Sequence, residues 1–208
     1  MVGHRSADFT GDPLALAAAL PQARYAGSLT GDGWLVASAS PEQAVRVRGN
    51  RITTEPIKGT GHDPTALRVS VKDRAEHVMI VDLERNDLAR VTESGSVVVE
   101  DLYGVASWAG LWHASSVVAG RLRAGVATAD ILAAVLPGGS VPGAPKHAAC
   151  RLLASLEPVG RGPAMGAMGF LCAEGLDLGL TIRTLAAADS RVHLWAGGGI
   201  TWGSDPAA

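Results

Sequence analysis

A hairpin signal near the middle of the chain limits the folds that this sequence can adopt. Residues 44–57, AVRVRGNRITTEPI, alternate apolar and polar side chains on both sides of Gly49-Asn50. Alternation with a period of two is typical of a half-buried strand, and a two-residue link containing glycine joins such strands into a hairpin. We therefore predict two antiparallel strands here, with Lys58 just past the second strand.

Helices are predicted between further antiparallel pairs of strands. Asp63 and Pro64 supply an N-cap and a first-turn proline for a helix that we predict over residues 64–91. Its predicted buried stripe consists of Leu67, Val71, Val78 and Leu83. Further helices are predicted over residues 12–20, 129–136 and 146–157, and Thr128 caps the second of them. Further strands are predicted over residues 33–40, 96–102, 103–108 and 165–171. The last predicted strands form a hairpin that turns at Asp189-Ser190. This order predicts a single α+β domain.

Composition and charge exclude several classes of protein. The 208 residues are 47% hydrophobic with a formal net charge of −2, which is typical of a globular chain and lacks the basic excess of a nucleic-acid binder. No apolar run reaches the 18 residues of a membrane span, and the first residues lack the apolar core of a signal peptide. We predict a cytoplasmic protein whose Cys150 and Cys172 are two buried thiols, with neither nucleic acid nor membrane as a partner.

Lys58 is the first candidate for chemistry. It lies in EPIKGT, between the bend-forming Pro56 and Gly59. A lysine in a turn is usually a solvated surface charge. Packed against Ile57, however, it would lose hydration, which favours the neutral amine that attacks carbon. The local sequence leaves both interpretations open.

Glu76 is a candidate metal ligand. It stands immediately before HVMIVDL, where the predicted helix becomes apolar. Charged residues on a helix usually form a solvated face, but an acid at this border needs a partner. Mg²⁺ held by carboxylate and substrate oxygens is one candidate.

Two more polar residues interrupt apolar stretches. His113 in GLWHASS is either a hydrogen-bonded core histidine or a site residue. Arg183 in LTIRTL, predicted to lie in a strand, requires an anion once buried. That anion is either a protein carboxylate in an internal salt bridge or the carboxylate of a ligand.

Two glycine-rich stretches offer open backbone. PGGSVPGAPK, residues 137–146, places Pro145 at a helix start, where free N–H groups attract anions. AGGGI, residues 196–200, has almost no side chains that would keep a ligand away. Lys146 is followed by His147 rather than by Ser or Thr, which argues against a nucleotide site. Basic groups, acids and open backbone together suit a small polycarboxylate with a metal.

In this order, the motifs resemble those of the chorismate-binding enzymes. The shared blocks, from about residue 30 to the C-terminus, are SASPE, EPIKGT, KDRAEHVMIVDLERNDLARV, GSVVVEDL, PGGSVPGAPK, RGPAMGAMGF, LTIRT and AGGGITWGSDP. The resemblance implies two packed antiparallel β-sheets flanked by helices. It also implies that residues 1–208 form a chorismate-binding domain that is incomplete at both ends, because family members carry a further segment on each side.

With lysine at position 58, the PIKGT motif resembles that of one branch of this family, aminodeoxychorismate synthase component I. The anthranilate, isochorismate and salicylate synthases generally have alanine at this position. The resemblance implies that Lys58 attacks C2 of chorismate as the C4 hydroxyl leaves. Ammonia then attacks C4 and expels the lysine, giving 4-amino-4-deoxychorismate on the route to p-aminobenzoate and folate. The alternatives are an enzyme like anthranilate synthase component I and a truncated, non-catalytic chorismate-binding module.

The resemblance also implies roles for other residues. Glu42 matches the general acid at the C4 hydroxyl, His113 an active-site histidine near the ring, and Glu76 a ligand of Mg²⁺. The implied substrate-binding residues are Thr60, Gly143, Arg183, Gly197, Gly198 and Gly199. The implied partner is a glutamine amidotransferase subunit that supplies ammonia.

Overall fold

Two antiparallel β-sheets and five helices make up the described part of the chain. The computed structural model describes residues 2–108 and 110–200, together with residues 202 and 204. In chain order the elements are β1 (Val2–Asp8), α1 (Pro13–Ala19), β2 (Tyr25–Gly31), β3 (Trp34–Ser40), β4 (Gln43–Arg48), β5 (Arg51–Glu55), β6 (Ile57–Gly61), α2 (Pro64–Val69), α3 (Val71–Ala89), β7 (Val98–Trp108), β8 (Leu111–Arg121), α4 (Thr128–Val135), α5 (Lys146–Leu156), β9 (Ala167–Cys172), β10 (Gly175–Leu180), β11 (Thr184–Ala188) and β12 (Arg191–Gly197). This architecture confirms the predicted α+β fold.

The chain passes twice between the two sheets, and the two crossings lie side by side. The smaller sheet has the order β1-β12-β11-β3-β2, and the larger sheet has the order β6-β8-β5-β4-β10-β9 with β7 paired to β8. The β3–β4 connection and the β10–β11 connection each leave one sheet and enter the other. Leu180 N–H donates to the Glu42 carbonyl at 3.0 Å, and Ala39 N–H donates to the Arg183 carbonyl at 3.1 Å. These bonds fix Glu42 and Arg183 at the junction of the sheets.

Both predicted hairpins are confirmed. β4 and β5 pair across Gly49-Asn50, where the positive φ of Gly49, 58°, suits a tight turn. β11 and β12 pair across Asp189-Ser190, whose φ values of 51° and 57° are those of a type I′ turn.

Lys58 lies inside a strand rather than just past one. Pro56 separates β5 from β6, which therefore forms a strand of its own and pairs with β8. The register between β6 and β8 shifts between Ile57 and Thr60, where Gly59 has a φ of 88°. A bulge of this kind re-aims the neighbouring side chains.

The helix predicted over residues 64–91 is two helices that meet at Ser70. Asp63 caps α2 as predicted, accepting the N–H of Thr65 at 2.8 Å. The Ser70 hydroxyl then accepts the N–H of Asp73 at 3.1 Å and caps α3. The prediction of one helix was wrong because a serine side chain can replace a backbone partner and start a new helix.

The buried face of α3 also differs from the predicted stripe. Leu67 of α2 is buried, but Val71 and Val78 are 82% and 50% exposed. The residues of α3 that are buried are His77, Ile80, Val81, Glu84, Asp87 and Leu88. The prediction failed because the face that packs on the larger sheet carries polar residues, which apolar periodicity does not identify.

Two local details differ from the sequence predictions. The N-cap of α4 is Ala127 rather than Thr128, and the Asp130 carboxylate accepts the Ala127 N–H at 3.0 Å. Cys150 and Cys172 are free thiols, but Cys150 is only partly buried and Cys172 is exposed. Cys172 is exposed because it ends β9, which lies at the end of the larger sheet.

Each sheet packs its own helices. The main apolar cluster joins the larger sheet to α3 and α4, and its buried members are Val45, Val47, Ile52, Val81, Leu88, Val91, Val118, Ile131, Ala134, Val135 and Leu176. A smaller cluster joins α1 to the other sheet through Leu35, Ala37 and Ala187. Among the described residues, no helix has the length and apolar character needed to cross a bilayer.

Candidate active site

Lys58 and Glu42 both lie next to Ser140, near the junction of the two sheets. The half-buried Lys58 donates a hydrogen bond from Nζ to the carbonyl of Ser140 at 3.0 Å. Glu42 is buried, and its carboxyl group is hydrogen-bonded by the Ser140 side chain and by the N–H of Ile57. Ser140 therefore contacts both side chains, although it comes from the loop between α4 and α5.

The surroundings of Glu42 favour its protonated form. Burial raises the pKa of Glu42 above its usual range, and this effect outweighs the opposing influence of the Lys58 charge, the Ser140 and Ile57 hydrogen bonds and the Arg183 charge. A carboxylic acid that keeps its proton at higher pH can serve as a general acid. This location is compatible with the general-acid role that the sequence resemblance implied for Glu42, and that role stays a prediction.

His113 and Thr60 form a second pair beside Lys58. They face each other across β6 and β8, and Thr60 Oγ1 lies 3.0 Å from His113 Nδ1. Burial lowers the pKa of His113, and the nearby Arg183 charge lowers it further. The imidazole is therefore held neutral near pH 7, with its ring stacked on Trp108 at a centroid distance of 5.4 Å.

Arg183 is exposed and lies between strands, so the prediction of a buried arginine inside a strand was wrong. The chain changes sheets here, and Arg183 has a φ of 53° just before β11. A left-handed backbone at a residue other than glycine costs about 1 kcal/mol or more and is frequent at functional sites. The Arg183 charge acts on both Glu42 and His113, so its guanidinium group lies by the same site.

The predicted glycines fall in two places. Gly143 lies in the loop that carries Ser140, with a φ of 94° and open space where a side chain would start. Gly197 ends β12, and Gly198 and Gly199 follow it, all three exposed. Gly197 belongs to the smaller sheet and the other two follow it, whereas Lys58 and Thr60 belong to the larger sheet. Their role in binding stays a prediction.

Glu76 is half-exposed on α3, one residue before the buried His77. Within the described part of the chain, no group of three or more His, Cys, Asp or Glu side chains could hold a metal ion. Mg²⁺ is usually bound by one or two protein carboxylates together with substrate oxygens and water. Glu76 can supply one such ligand, and the described residues do not form a complete site without others.

Sequence reasoning missed the buried acids of α3. Glu84 accepts the N–H of Gly139 at 3.0 Å, and Asp87 forms a buried ion pair with Lys146. Burial and the neighbouring Asp87 and Glu42 raise the pKa of Glu84 to about 8. The spacing of Glu84, Asp87 and Leu88, which places them on one face of the helix, was the available signal.

His77 was also missed, and it supports the strand that carries Lys58. Its Nε2 lies 2.5 Å from Ser116 Oγ, which accepts the N–H of Tyr103 at 2.9 Å. Burial lowers the pKa of His77 to about 4, while the backbone of Lys58 opposes this change. A neutral histidine therefore joins α3 to β8, the strand that pairs with the Lys58-bearing β6.

The pKa of His77 predicts a loss of stability in acid. As pH falls from about 6.5 to about 4, an unfolded histidine takes up a proton while folded His77 stays neutral, so the free energy of unfolding decreases. We expect this residue to account for roughly 2–3 kcal/mol, since one pKa unit corresponds to about 1.4 kcal/mol. Urea unfolding at pH 7 and pH 4.5 measures it: the wild type should lose more stability than His77→Asn. The exposed His147→Asn is the control, and equal losses in wild type and His77→Asn would contradict the prediction.

The fold and the site by themselves define a class of protein. It is an α+β protein in which a lysine amine lies near a buried carboxyl group of raised pKa where two antiparallel sheets meet. A neutral histidine and an exposed arginine border them. Such a set is suited to nucleophilic and acid–base chemistry on a small anionic ligand.

Comparison with known proteins identifies the family. A sequence model of the family described as chorismate binding enzyme matches residues 5–208. Anthranilate synthase component 1 of Streptomyces coelicolor is 46% identical in an alignment of 189 residues that covers 86% of this chain and 37% of that protein. Aminodeoxychorismate synthase component 1 of Klebsiella aerogenes is 44% identical in an alignment of 188 residues that covers 85% of this chain and 42% of that protein. The chain belongs to the chorismate-binding enzyme family.

Solved structures agree with this assignment. The crystal structure of anthranilate synthase component I from Streptococcus pneumoniae matches 99% of this chain with a TM-score of 0.88 and 36% sequence identity. The match covers 48% of that chain. This chain therefore spans less than half the length of each of the three relatives.

Proposed function

We propose that this chain is the chorismate-binding part of an enzyme like aminodeoxychorismate synthase component I, which converts chorismate and ammonia to 4-amino-4-deoxychorismate. The observation that carries the proposal is the Lys58 amine beside the buried Glu42 at the junction of the sheets. A nucleophile next to a protonated acid is what this substitution requires. The amine forms one bond while the acid assists the departure of a hydroxyl group.

In the first proposed step, the amine of Lys58 attacks C2 of chorismate. The ring double bonds shift towards C4, and the bond from C4 to its hydroxyl oxygen breaks. Glu42 gives its proton to the departing oxygen, so that water leaves and a carboxylate remains. The raised pKa of Glu42 supports this role, because an ordinary glutamic acid would already be ionised near pH 7.

In the second step, ammonia attacks C4, the double bonds shift back, and the bond between C2 and Lys58 breaks. The proton that ammonia loses is taken up by the Glu42 carboxylate, which restores the acid. The overall change replaces a hydroxyl group with an amino group. Thr60 fixes the neutral His113 beside the ring. The exposed Arg183 offers two N–H groups to a substrate carboxylate.

Mg²⁺ belongs to the proposal through Glu76. We propose that an ion bound here is held by Glu76 and by carboxylate oxygens of the substrate, an arrangement that Mg²⁺ commonly adopts. When bound, the ion would neutralise the ring carboxylate of chorismate. The ammonia is proposed to come from a glutamine amidotransferase subunit, in keeping with the component 1 names of the relatives.

Overall identity does not separate the two candidate products. The relative from S. coelicolor is an anthranilate synthase component at 46% identity, and the relative from K. aerogenes is an aminodeoxychorismate synthase component at 44%. These two values are too close to favour either product, and anthranilate is the alternative. Lys58 favours aminodeoxychorismate, because its amine can form the covalent adduct that this product requires. A non-catalytic chorismate-binding module is the third candidate.

Product identification tests the proposal. The purified chain is incubated with chorismate, Mg²⁺ and an ammonium salt, and the products are separated and identified by mass spectrometry. We expect 4-amino-4-deoxychorismate, with less product when a chelator removes Mg²⁺. Anthranilate as the main product would contradict the proposal. Chorismate binding in a calorimeter without any product would instead identify a binding module.

A further inference from the structure

A tight turn of residues 138–140, here called the 138–140 turn, joins three parts of the site. It lies in the loop between α4 and α5 and packs closely on both sides. A side chain on Gly138 would start 2.8 Å from Leu180 of β10, and one on Gly139 would start 2.8 Å from Leu83 of α3. The turn therefore packs against leucine side chains of both the sheet and the helix.

Consecutive residues of this turn bind α3 on one side and the site on the other. The N–H of Gly139 donates to Oε1 of Glu84 at 3.0 Å. The carbonyl of the next residue, Ser140, accepts the hydrogen bond from Lys58 Nζ at 3.0 Å, and its side chain bonds the carboxyl of Glu42. Glu84 is thus separated from Lys58 and from Glu42 by one short stretch of backbone.

We propose that Glu84 is a positioning residue, which holds the 138–140 turn and through it sets the Lys58 amine and the Glu42 carboxyl for reaction. The consequence for catalysis rests on the proposed function. The contacts that support the inference do not depend on the proposed function. Glu84 reaches neither side chain directly by hydrogen bond, so its effect passes through Gly139 and Ser140.

The acceptor oxygen of Glu84, rather than a negative charge, is what the turn requires. Three ionisable groups face its carboxyl, namely Asp87 on α3, Glu42 at the β3–β4 connection and Lys146 on α5. Burial and the two acids raise its pKa to about 8, so the carboxyl is protonated at neutral pH and still accepts from Gly139. Glutamine offers the same carbonyl acceptor at the same distance from the backbone, whereas methionine has a similar length and no comparable acceptor.

Lysine labelling tests the inference without any substrate. The lysines of the chain are Lys58, Lys72 and Lys146, so each can be followed by mass spectrometry after brief reaction with an acetylating reagent. The measured quantity is the labelling rate of Lys58 divided by that of the exposed Lys72. In Glu84→Met we expect this ratio to rise by roughly two- to tenfold, the size expected when one net hydrogen bond is lost. In Glu84→Gln it should stay at the wild-type value.

A matched control and a second variant complete the test. Asp82→Met makes the same kind of change at an exposed carboxylate on the same helix and should leave the ratio unchanged. If Glu84→Met does not fold, Glu84→Asp, which withdraws the acceptor by one methylene group, should raise the ratio instead. A wild-type ratio in a folded Glu84→Met or Glu84→Asp would overturn the inference, and so would a rise in Glu84→Gln equal to that in Glu84→Met. Because no chorismate is present, these results are independent of which product the protein forms.

Discussion

Replacing Lys58 with alanine is expected to abolish formation of 4-amino-4-deoxychorismate. The covalent route cannot proceed without the Lys58 amine. The other two lysines cannot replace it, because Lys72 is exposed on α3 and Lys146 is paired with Asp87. We expect the rate of product formation to fall by about 10³-fold or more, as is usual when a nucleophile is removed. Initial rates measured with chorismate, Mg²⁺ and ammonium will check this.

The matched control for this experiment is Lys72→Ala, which removes an exposed lysine and should retain wild-type turnover. Binding of chorismate to Lys58→Ala, measured by calorimetry, separates a chemical defect from a binding defect. Turnover by Lys58→Ala at the wild-type rate would contradict the covalent role. Anthranilate formation that persists in this variant would favour the alternative product.

Replacing Glu84 with glutamine is expected to make the protein more stable in alkaline solution. The pKa of Glu84 is about 8 in the folded protein and near its usual 4.5 when unfolded. Between these values the folded state keeps a proton that the unfolded state has released, so the stability contributed by this residue is present below pH 4.5 and is lost as pH rises through 8. Glutamine does not titrate, and the advantage of the variant should reach a few kcal/mol, since one pKa unit corresponds to about 1.4 kcal/mol.

Urea unfolding of wild type and Glu84→Gln at pH 5 and pH 9 measures this difference. The stability of the variant relative to the wild type should increase between the two conditions. Asp82→Asn removes an exposed carboxylate from the same helix and should show no such increase. A difference between wild type and Glu84→Gln that is the same at both pH values would show that Glu84 does not titrate in this range.

The local features of the fold could be predicted because they depend on neighbouring residues. Gly49-Asn50 and Asp189-Ser190 turn the hairpins through their own backbone preferences, and Asp63 caps the helix that follows it. The prediction failed at Ser70, where a capping serine divides one expected helix into two. Local sequence offered both outcomes there, and packing against the larger sheet selected one.

The site residues could be selected by motif, but their chemistry could not. Lys58 and Glu42 stand out in PIKGT and SPE, yet only the fold brings Ser140 between them, 82 residues from Lys58 along the chain. Arg183 was expected inside a strand and instead occupies the crossing between sheets. The position of a crossing depends on which strands pair, and the apolar–polar alternation of a single strand does not specify its partner.

The sequence by itself determined the two hairpins, the start of α2 at its Asp63 cap, the α+β class and the motifs that resemble one family. Only the tertiary structure decided that a helix would bury Glu84, Asp87 and His77 against the sheet, and that the 138–140 turn would link Glu84 to Lys58. The physical reason is that burial removes water from a polar group, and most buried polar groups have a hydrogen-bond partner inside the protein in its place. For Glu84 that partner is Gly139, which lies 55 residues away in the chain.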